Sequence, residues 1–304
     1  MKIYIKDWCF FQDEMMYHGI DNSYKLAYDI ILAGKRIRNL DIQAKSLLCC
    51  FEVMKRKNNF DQFSSIINCT SFGSFDSVTK LLVESYQNSR PYQISPGNIP
   101  NTVINSSAGI AAIEYNIQGP NISISADELS FYSSLIKVKS IFLNSQSDEI
   151  FLSAIENWDN SYGEELLLEF GVKSRENLPF SKVYANLFLL SKASSSVSII
   201  FTKMGRIFNL SNIDSVIMEI INYLKIDKNK IIYSNIWSYN PISSPIFNDI
   251  NNASILPRKY GYLMAALGSY QCNDIIQHLV PSTYGMQLTI DKDGFYGICI
   301  LYKD

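Results

Sequence analysis

Two adjacent carboxylates, Asp127 and Glu128, stand where the sequence changes from a strand-like to a helix-like pattern. They lie in the stretch GPNISISADELSF, residues 119–131, in which Ile122 and Ile124 alternate with polar residues. A sharp turn from strand to helix is a place where enzymes present a nucleophile. The question is therefore why carboxylates occupy this turn, where a serine or a cysteine would be expected.

Thiol and imidazole chemistry are both restricted by the composition. The six cysteines show no CxxC spacing, so in a chain of this size they are predicted to be free, mostly buried thiols. The two histidines, His18 and His278, are too few for a histidine-based zinc site and far apart in sequence. We therefore predict no metal site and no cofactor.

The elements that would position this turn alternate along the chain. Strands are predicted at Lys2–Ile5, Ser65–Cys69, Asn121–Ser125, Glu149–Ile155, Asn186–Leu190, Val197–Thr202, Ile231–Ile236, Met286–Ile290 and Gly297–Tyr302. Amphipathic helices are predicted around residues 44–54, 131–142, 213–224 and 264–279. This alternation predicts an α/β fold with a partly parallel sheet. Two helices, Phe131–Phe142 and Met264–Leu279, are each followed by two strands, which suggests an internal duplication.

Composition narrows the functional classes. With 304 residues, 47% of them hydrophobic, the chain can form one large domain or two fused halves around a sizeable core. A formal net charge of −2 gives no support to nucleic-acid binding. No apolar run approaches the ~20 residues of a membrane span, and acidic residues follow the N-terminus too closely for a signal peptide. We therefore expect a cytoplasmic protein.

A set of ordered motifs resembles the middle of a β-ketoacyl synthase. The matching residues are Ser95, Pro96, Pro100, Val103, Asn105, Gly109, Gly119, Pro120 and Asn121. Flanking segments resemble other parts of the same family: Lys35–Leu40, Ile66–Ser74, Ser147–Glu156, Lys259–Gly268 and Gly294–Gly297. Each motif is weak alone, but their order and spacing extend the resemblance over nearly the whole chain.

The resemblance implies a thiolase-like fold of two duplicated half-domains in α-β-α-β-α layers. The whole chain, residues 1–304, would form one ketosynthase-like unit, with an N-terminal half over 1–156 and a C-terminal half over 157–304. The chain is shorter than an ordinary two-half ketosynthase. We expect the losses after the first strand and around residues 157–240, where a polar stretch is predicted to form a surface loop.

The catalytic residues that the family uses are missing from the matched positions. A ketosynthase needs a thiolate at a helix N-terminus and two histidines. The register from Gly119 places the nucleophile position at Glu128 and one histidine position at Tyr262. The other histidine would follow residue 236, where the sequence SNIWSYNPISSP contains none. The resemblance therefore implies a pseudo-ketosynthase without ketosynthase activity. At Glu128, either the helix dipole simply favours an acidic residue, or a residual decarboxylase activity remains.

The implied function is that of a chain-length factor, which forms a heterodimer with an active β-ketoacyl synthase and meets acyl carrier protein through that complex. Its subunit interface would contain Thr102, Asn105, Gly109, Asn121, Ile122, Ser123, Ile124, Ser125 and Ala126. Its acyl tunnel would be shaped by Glu128, Phe131, Tyr132 and Leu135, although the last three are equally typical of a core. Two alternatives stay open: a malonyl carrier-protein decarboxylase or hydrolase that uses Glu128 or Asp127, and a homodimeric protein that binds acyl carrier protein or lipid.

Overall fold

Strands and helices alternate as the sequence predicts. The computed structural model describes residues 1–12, 15–19, 22–25, 28–35, 40–88, 90, 93–94, 96–144, 147–158, 183–242, 245, 247 and 252–304. The strands are β1 Ile3–Gln12, β2 Met15–His18, β3 Asn22–Lys25, β4 Ser65–Cys69, β5 Asn121–Ile124, β6 Glu149–Asn157, β7 Val183–Ser191, β8 Val197–Arg206, β9 Ile231–Ser238, β10 Ala253–Ile255, β11 Thr283–Ile290 and β12 Phe295–Lys303. The α-helices are α1 Tyr28–Ile31, α2 Ile42–Lys55, α3 Phe75–Gln87, α4 Ser106–Tyr115, α5 Ser130–Asn144, α6 Ile213–Leu224 and α7 Leu267–His278.

The nine predicted strands are all present, and the sequence patterns missed β2, β3 and β10. These three are short, so they offer too few residues for an alternating pattern. Some stretches used in the sequence-based predictions lie outside the described residues. These are residues 36–39, Ser95 and most of the polar loop after residue 157.

Two halves of one mixed sheet share the same strand order. The first half runs β5-β4-β6-β7-β1 and the second runs β10-β9-β11-β12-β8. In each half the first three strands are parallel and the last two are antiparallel to their neighbours. Antiparallel pairing of β1 with β8 joins the halves. This repeated topology confirms the predicted duplication.

The boundary between the halves differs from the predicted one after residue 156. Strand β7 pairs with β6 and β1, so it completes the first half of the sheet. The second half then begins with β8, and the boundary falls at residues 192–196. The residues of β7 do not indicate which half it joins, because a buried strand has the same apolar pattern in either position.

Three hydrophobic clusters produce five layers. Helices α2 and α4 cover the outer face of the first half-sheet, and α6 covers the outer face of the second. Helices α5 and α7 pack between the two half-sheets in the largest cluster. All nine residues of β7 are buried, because both of its faces are covered. The arrangement confirms the α-β-α-β-α layers that the resemblance implies.

Candidate functional site

The turn between β5 and α5 is a strained elbow. A short 3-10 segment, Asp127–Leu129, joins the two elements, and Asp127 has a φ of 45°. A positive φ is unfavourable for a residue with a Cβ, so the surrounding contacts must hold it. The Ser130 hydroxyl does so, since it accepts a hydrogen bond from the Ala126 N–H and donates one to the Asp127 carbonyl, both at 2.8 Å.

The backbone geometry favours Asp127 as the elbow residue, one position before Glu128, to which the motif register assigned the nucleophile position. A second elbow occurs at the equivalent place of the second half, where Met264 has φ 45° and ψ −120° directly before α7. Segment Asp127–Leu129 packs against segment Arg258–Ala266, so the two elbows meet. The motif match could not fix the register to one residue, because it used the glycine and proline several positions upstream.

Carboxylates surround the first elbow. The pKa of Glu128 is raised to about 7, mainly by burial and to a smaller extent by the nearby carboxylates of Asp127 and Asp291, while its own backbone N–H and Lys292 act in the opposite direction. Burial also raises the pKa of Asp291, which lies in the β11–β12 turn. Like charges at short range disfavour ionisation of one another. Glu128 therefore titrates near neutral pH in this setting.

Glu156 is a further acidic residue of this region, which the sequence argument missed. It lies in β6 with 1% of its surface exposed and accepts a hydrogen bond from the Ser71 N–H. The Ser71 hydroxyl in turn accepts a hydrogen bond from the Ala265 N–H at 3.2 Å, so this chain of contacts links the two halves. Its sequence signal was a single charge at the end of the otherwise apolar run IFLSAIE.

Glu156→Gln is expected to remove a pH dependence of stability. Burial raises the pKa of Glu156 to about 8. The folded state thus keeps a proton that the unfolded state releases near pH 4.5. Between pH 4.5 and pH 8, the free energy of unfolding therefore falls by up to about 1.4 kcal/mol for each pH unit. At pH 5 the variant and wild type should have similar melting temperatures. As the pH rises to 8.5, the melting temperature of the variant should increasingly exceed that of wild type. The exposed Glu219→Gln is the control, and a constant difference between Glu156→Gln and wild type would contradict the assignment.

None of the cysteines in the described chain is an exposed nucleophile. All six are free and buried: Cys9, Cys49, Cys50, Cys69, Cys272 and Cys299. Cys69 comes nearest to the elbow, with its Sγ 2.9 Å from the Ser134 hydroxyl in the first turns of α5. Burial raises the pKa of the Cys69 thiol to about 12, so it is protonated at neutral pH.

The two histidines are distant from the elbow turn in sequence. Each contacts a side chain in its own part of the fold. The buried His18 Nε2 lies 3.0 Å from Asp7 Oδ2 in the β1–β2 hairpin. The ring of His278, at the end of α7, stacks on Tyr233 with centroids 4.2 Å apart. Tyr262 lies in the Arg258–Ala266 segment, but its side chain is outside the described part of the structure.

Native protein is expected to resist thiol labelling. The six buried cysteines should give almost no reaction with a disulfide reagent such as DTNB within minutes, and six equivalents after denaturation. Asp127→Cys places a thiol at the exposed elbow and serves as the reactive control. Rapid labelling of a wild-type thiol under native conditions would contradict the burial of all six.

The predicted tunnel residues on α5 are buried in the central layer. Phe131, Tyr132 and Leu135 expose 0–1% of their surface. The Tyr132 hydroxyl lies 2.9 Å from the Thr289 hydroxyl and donates to Gln271 Oε1 at 3.1 Å. A Cβ at Gly297 would lie 2.3 Å from the Tyr132 ring, which shows how closely that strand approaches the helix. Leu135 alone of the three also lines a pocket, which is described below.

The predicted interface residues gather around the free edge of the first half-sheet. In the described sheet β5 pairs only with β4, so its other edge has no strand beside it. Ser125 and Ala126 are exposed after it, and the Asn121 amide donates to the Ala108 carbonyl of α4 at 3.0 Å. Asn105 is exposed, Thr102 and Gly109 are half-buried, and the helix that contains Gly109, α4, contacts β5. The structure thus brings the two predicted interface segments together.

The described residues contain neither a metal-binding cluster nor a membrane-spanning helix. Histidine, cysteine, aspartate and glutamate side chains form no group of three that could hold a metal ion within that part of the chain. Every described helix is too short or too polar to span a bilayer.

Comparison with known proteins gives similar structures only. Neither a protein-family model nor a curated protein matches the sequence. The ishigamide ketosynthase/chain length factor superposes with a TM-score of 0.77 at 14% identity, over 100% of this chain and 99% of that chain. A type II polyketide acyl carrier protein in complex with its ketosynthase, bound to the hexaketide, gives 0.69 at 10% identity over 92% and 89%. A β-ketoacyl synthase from Burkholderia phymatum gives 0.68 at 9% identity over 100% and 99%.

These likenesses define the fold. The chain has the thiolase-like fold shared by ketosynthases and chain length factors, as the motifs implied. Structural similarity at such low sequence identity does not indicate activity. The features of this chain that bear on function are the elbow, its charged residues and the free sheet edge.

Proposed function

We propose that this protein is a non-catalytic ketosynthase-like subunit that pairs with an active β-ketoacyl synthase, as a chain-length factor does. The observation that supports it most is a strained elbow at Asp127, with φ 45°, where the exposed Asp127 and the half-buried Glu128 stand in place of a thiolate. Backbone strain of about 1–3 kcal/mol persists only where the fold holds it. The elbow is thus inherited architecture, while the chemistry it once served is lost.

The free edge of β5 is the proposed contact with the partner. The carbonyls of Pro120 and Ile124 accept hydrogen bonds from β4, so residues 120, 122 and 124 direct their backbone groups inward. The N–H and C=O groups of Asn121 and Ser123 therefore point away from the sheet. An edge of this kind pairs readily with a strand of another chain.

Apolar side chains next to this edge support a protein contact. On α4, Ile113 is 84% exposed, and Ile99, Val103 and Ile104 are exposed on the preceding segment. Several large apolar side chains exposed on α4, which contacts β5, and on the segment before it are typical of a protein interface. In the complex, Glu128, Phe131, Tyr132 and Leu135 would contribute to the wall of the partner's acyl tunnel, and acyl carrier protein would dock on the assembled pair.

Co-expression tests this proposal. The protein should form a stable heterodimer with the β-ketoacyl synthase encoded nearest to its own gene, and its yield of folded protein should rise with that partner. Light scattering after size exclusion reports the mass of the complex. A soluble protein that never associates with the ketosynthase under these conditions would contradict the proposal.

A residual decarboxylase or hydrolase is a second candidate, favoured by one observation. A carboxyl with a pKa of about 7, as at Glu128, can act as a general acid or base at neutral pH. Against it, the carboxylates of Asp127 and Asp291 lie close to Glu128 and would repel a malonyl carboxylate. Release of carbon dioxide from malonyl carrier protein by wild type, and its loss in Glu128→Gln, would favour the enzyme.

A homodimer is the third candidate, because the same β5 edge could pair with its own copy. The mass of the protein purified alone distinguishes it: a stable, soluble homodimer would favour a carrier-protein or lipid-binding role.

A further inference from the structure

A pocket of 310 Å³ opens at the seam between the two half-sheets. Strand β8 pairs with β1 only from Val197 to Ile199 and then continues to Arg206 along β12 alone. Side chains from both faces of β8 can therefore reach the same space. Helix α5, the end of α6 and the start of β1 close the pocket around it.

This pocket is remote from the proposed subunit interface. Strands β4, β6, β7 and β1 separate β5 from β8 in the sheet. At ~4.8 Å per strand, the two places are about 24 Å apart along the sheet. Helix α5 contributes Leu135, Ile136 and Lys139 to the pocket lining. The first of these residues lies about two helical turns after the elbow.

The lining combines apolar side chains with a single charged side chain. Ile3, Leu135, Ile199 and Leu224 supply apolar walls, and the exposed Lys139 is the one charged side chain among the lining residues. No hydrogen bond or ion pair joins Lys139 to another residue of the described chain. Ligand pockets of about 300–1,000 Å³ are usually lined in this way, with few polar groups that fix the orientation of the ligand.

We propose that the pocket binds an aliphatic monocarboxylate, with the carboxylate at Lys139 and the chain along the apolar walls. The unpaired ammonium selects an anionic head group, and the walls select a hydrocarbon tail. This inference does not depend on the proposed function, because it uses neither the elbow nor the β5 edge. An apolar side chain of a partner protein would fill the walls equally well, but it would leave Lys139 without a counter-ion.

Calorimetry on the full chain tests the proposal with decanoate and with decanol, which lacks the charge. Wild type should bind decanoate more tightly than decanol. Lys139→Ala should weaken decanoate binding by roughly two- to fivefold, the size of one exposed ion pair, and leave decanol binding unchanged. Lys137→Ala is the matched control, because Lys137 is exposed on the same helix and does not line the pocket.

A second pair of variants tests the apolar part without touching the core. Ile136→Trp narrows the pocket at its exposed rim and should abolish binding of both ligands, whereas Leu143→Trp, exposed elsewhere on α5, should not. Absence of decanoate binding at millimolar concentration would overturn the proposal. Equal affinity for decanol and decanoate, or an unchanged affinity in Lys139→Ala, would overturn it too and would point to an apolar protein side chain as the occupant.

Discussion

Ser123→Pro is expected to abolish association with the partner ketosynthase while the protein itself stays folded. The N–H of residue 123 points away from β4, so proline removes a hydrogen-bond donor only from the free edge. Proline is tolerated on an edge strand for this reason. Loss of a central main-chain hydrogen bond and the clash of the ring with an incoming strand should together prevent pairing.

The control for this variant is Ser123→Ala. The Ser123 hydroxyl is buried and has no hydrogen-bond partner among the described residues, so its removal should cost little and the complex should form as in wild type. Size-exclusion mass and melting temperature are measured for both variants. A complex that forms normally with Ser123→Pro, at wild-type stability, would show that the partner does not pair with β5.

Gly119→Ala is expected to destabilise the fold strongly. A Cβ at Gly119 would lie 2.3 Å from the Ser64 carbonyl oxygen and 2.7 Å from that of Phe63, both of them backbone atoms. Backbone cannot move aside as a side-chain tip can, so the cost should reach about 1–3 kcal/mol or more. This close approach gives the Gly-Pro-Asn motif a structural reason: the glycine lets the chain enter β5 directly beside β4.

Gly109→Ala is the matched control and should act in the opposite direction. A Cβ there meets nothing within 4 Å, and Gly109 lies inside α4. Alanine should therefore stabilise the helix by about 0.5–1 kcal/mol. Melting temperatures compare the two variants, and equal effects of the same sign would contradict the packing around Gly119.

The sequence predicted the fold better than the site, for physical reasons. Strand alternation and helical stripes depend on local burial, so β4, β6 and α5 were found close to their true bounds. The half-sheet boundary depends on which strand pairs with β7, which is a long-range property. The elbow position at Asp127 depends on one backbone torsion angle, and the role of Glu156 depends on its contact with Ser71, 85 residues earlier.

Hydrogen exchange of β5 in the complex tests the central claim most directly. The amides of Ile122 and Ile124 face β4 and should already exchange slowly in the free protein, whereas those of Asn121 and Ser123 face outward and should exchange quickly. Binding of the ketosynthase should slow the outward amides selectively. Unchanged exchange at Ser123 in a complex that has formed would contradict pairing through this edge.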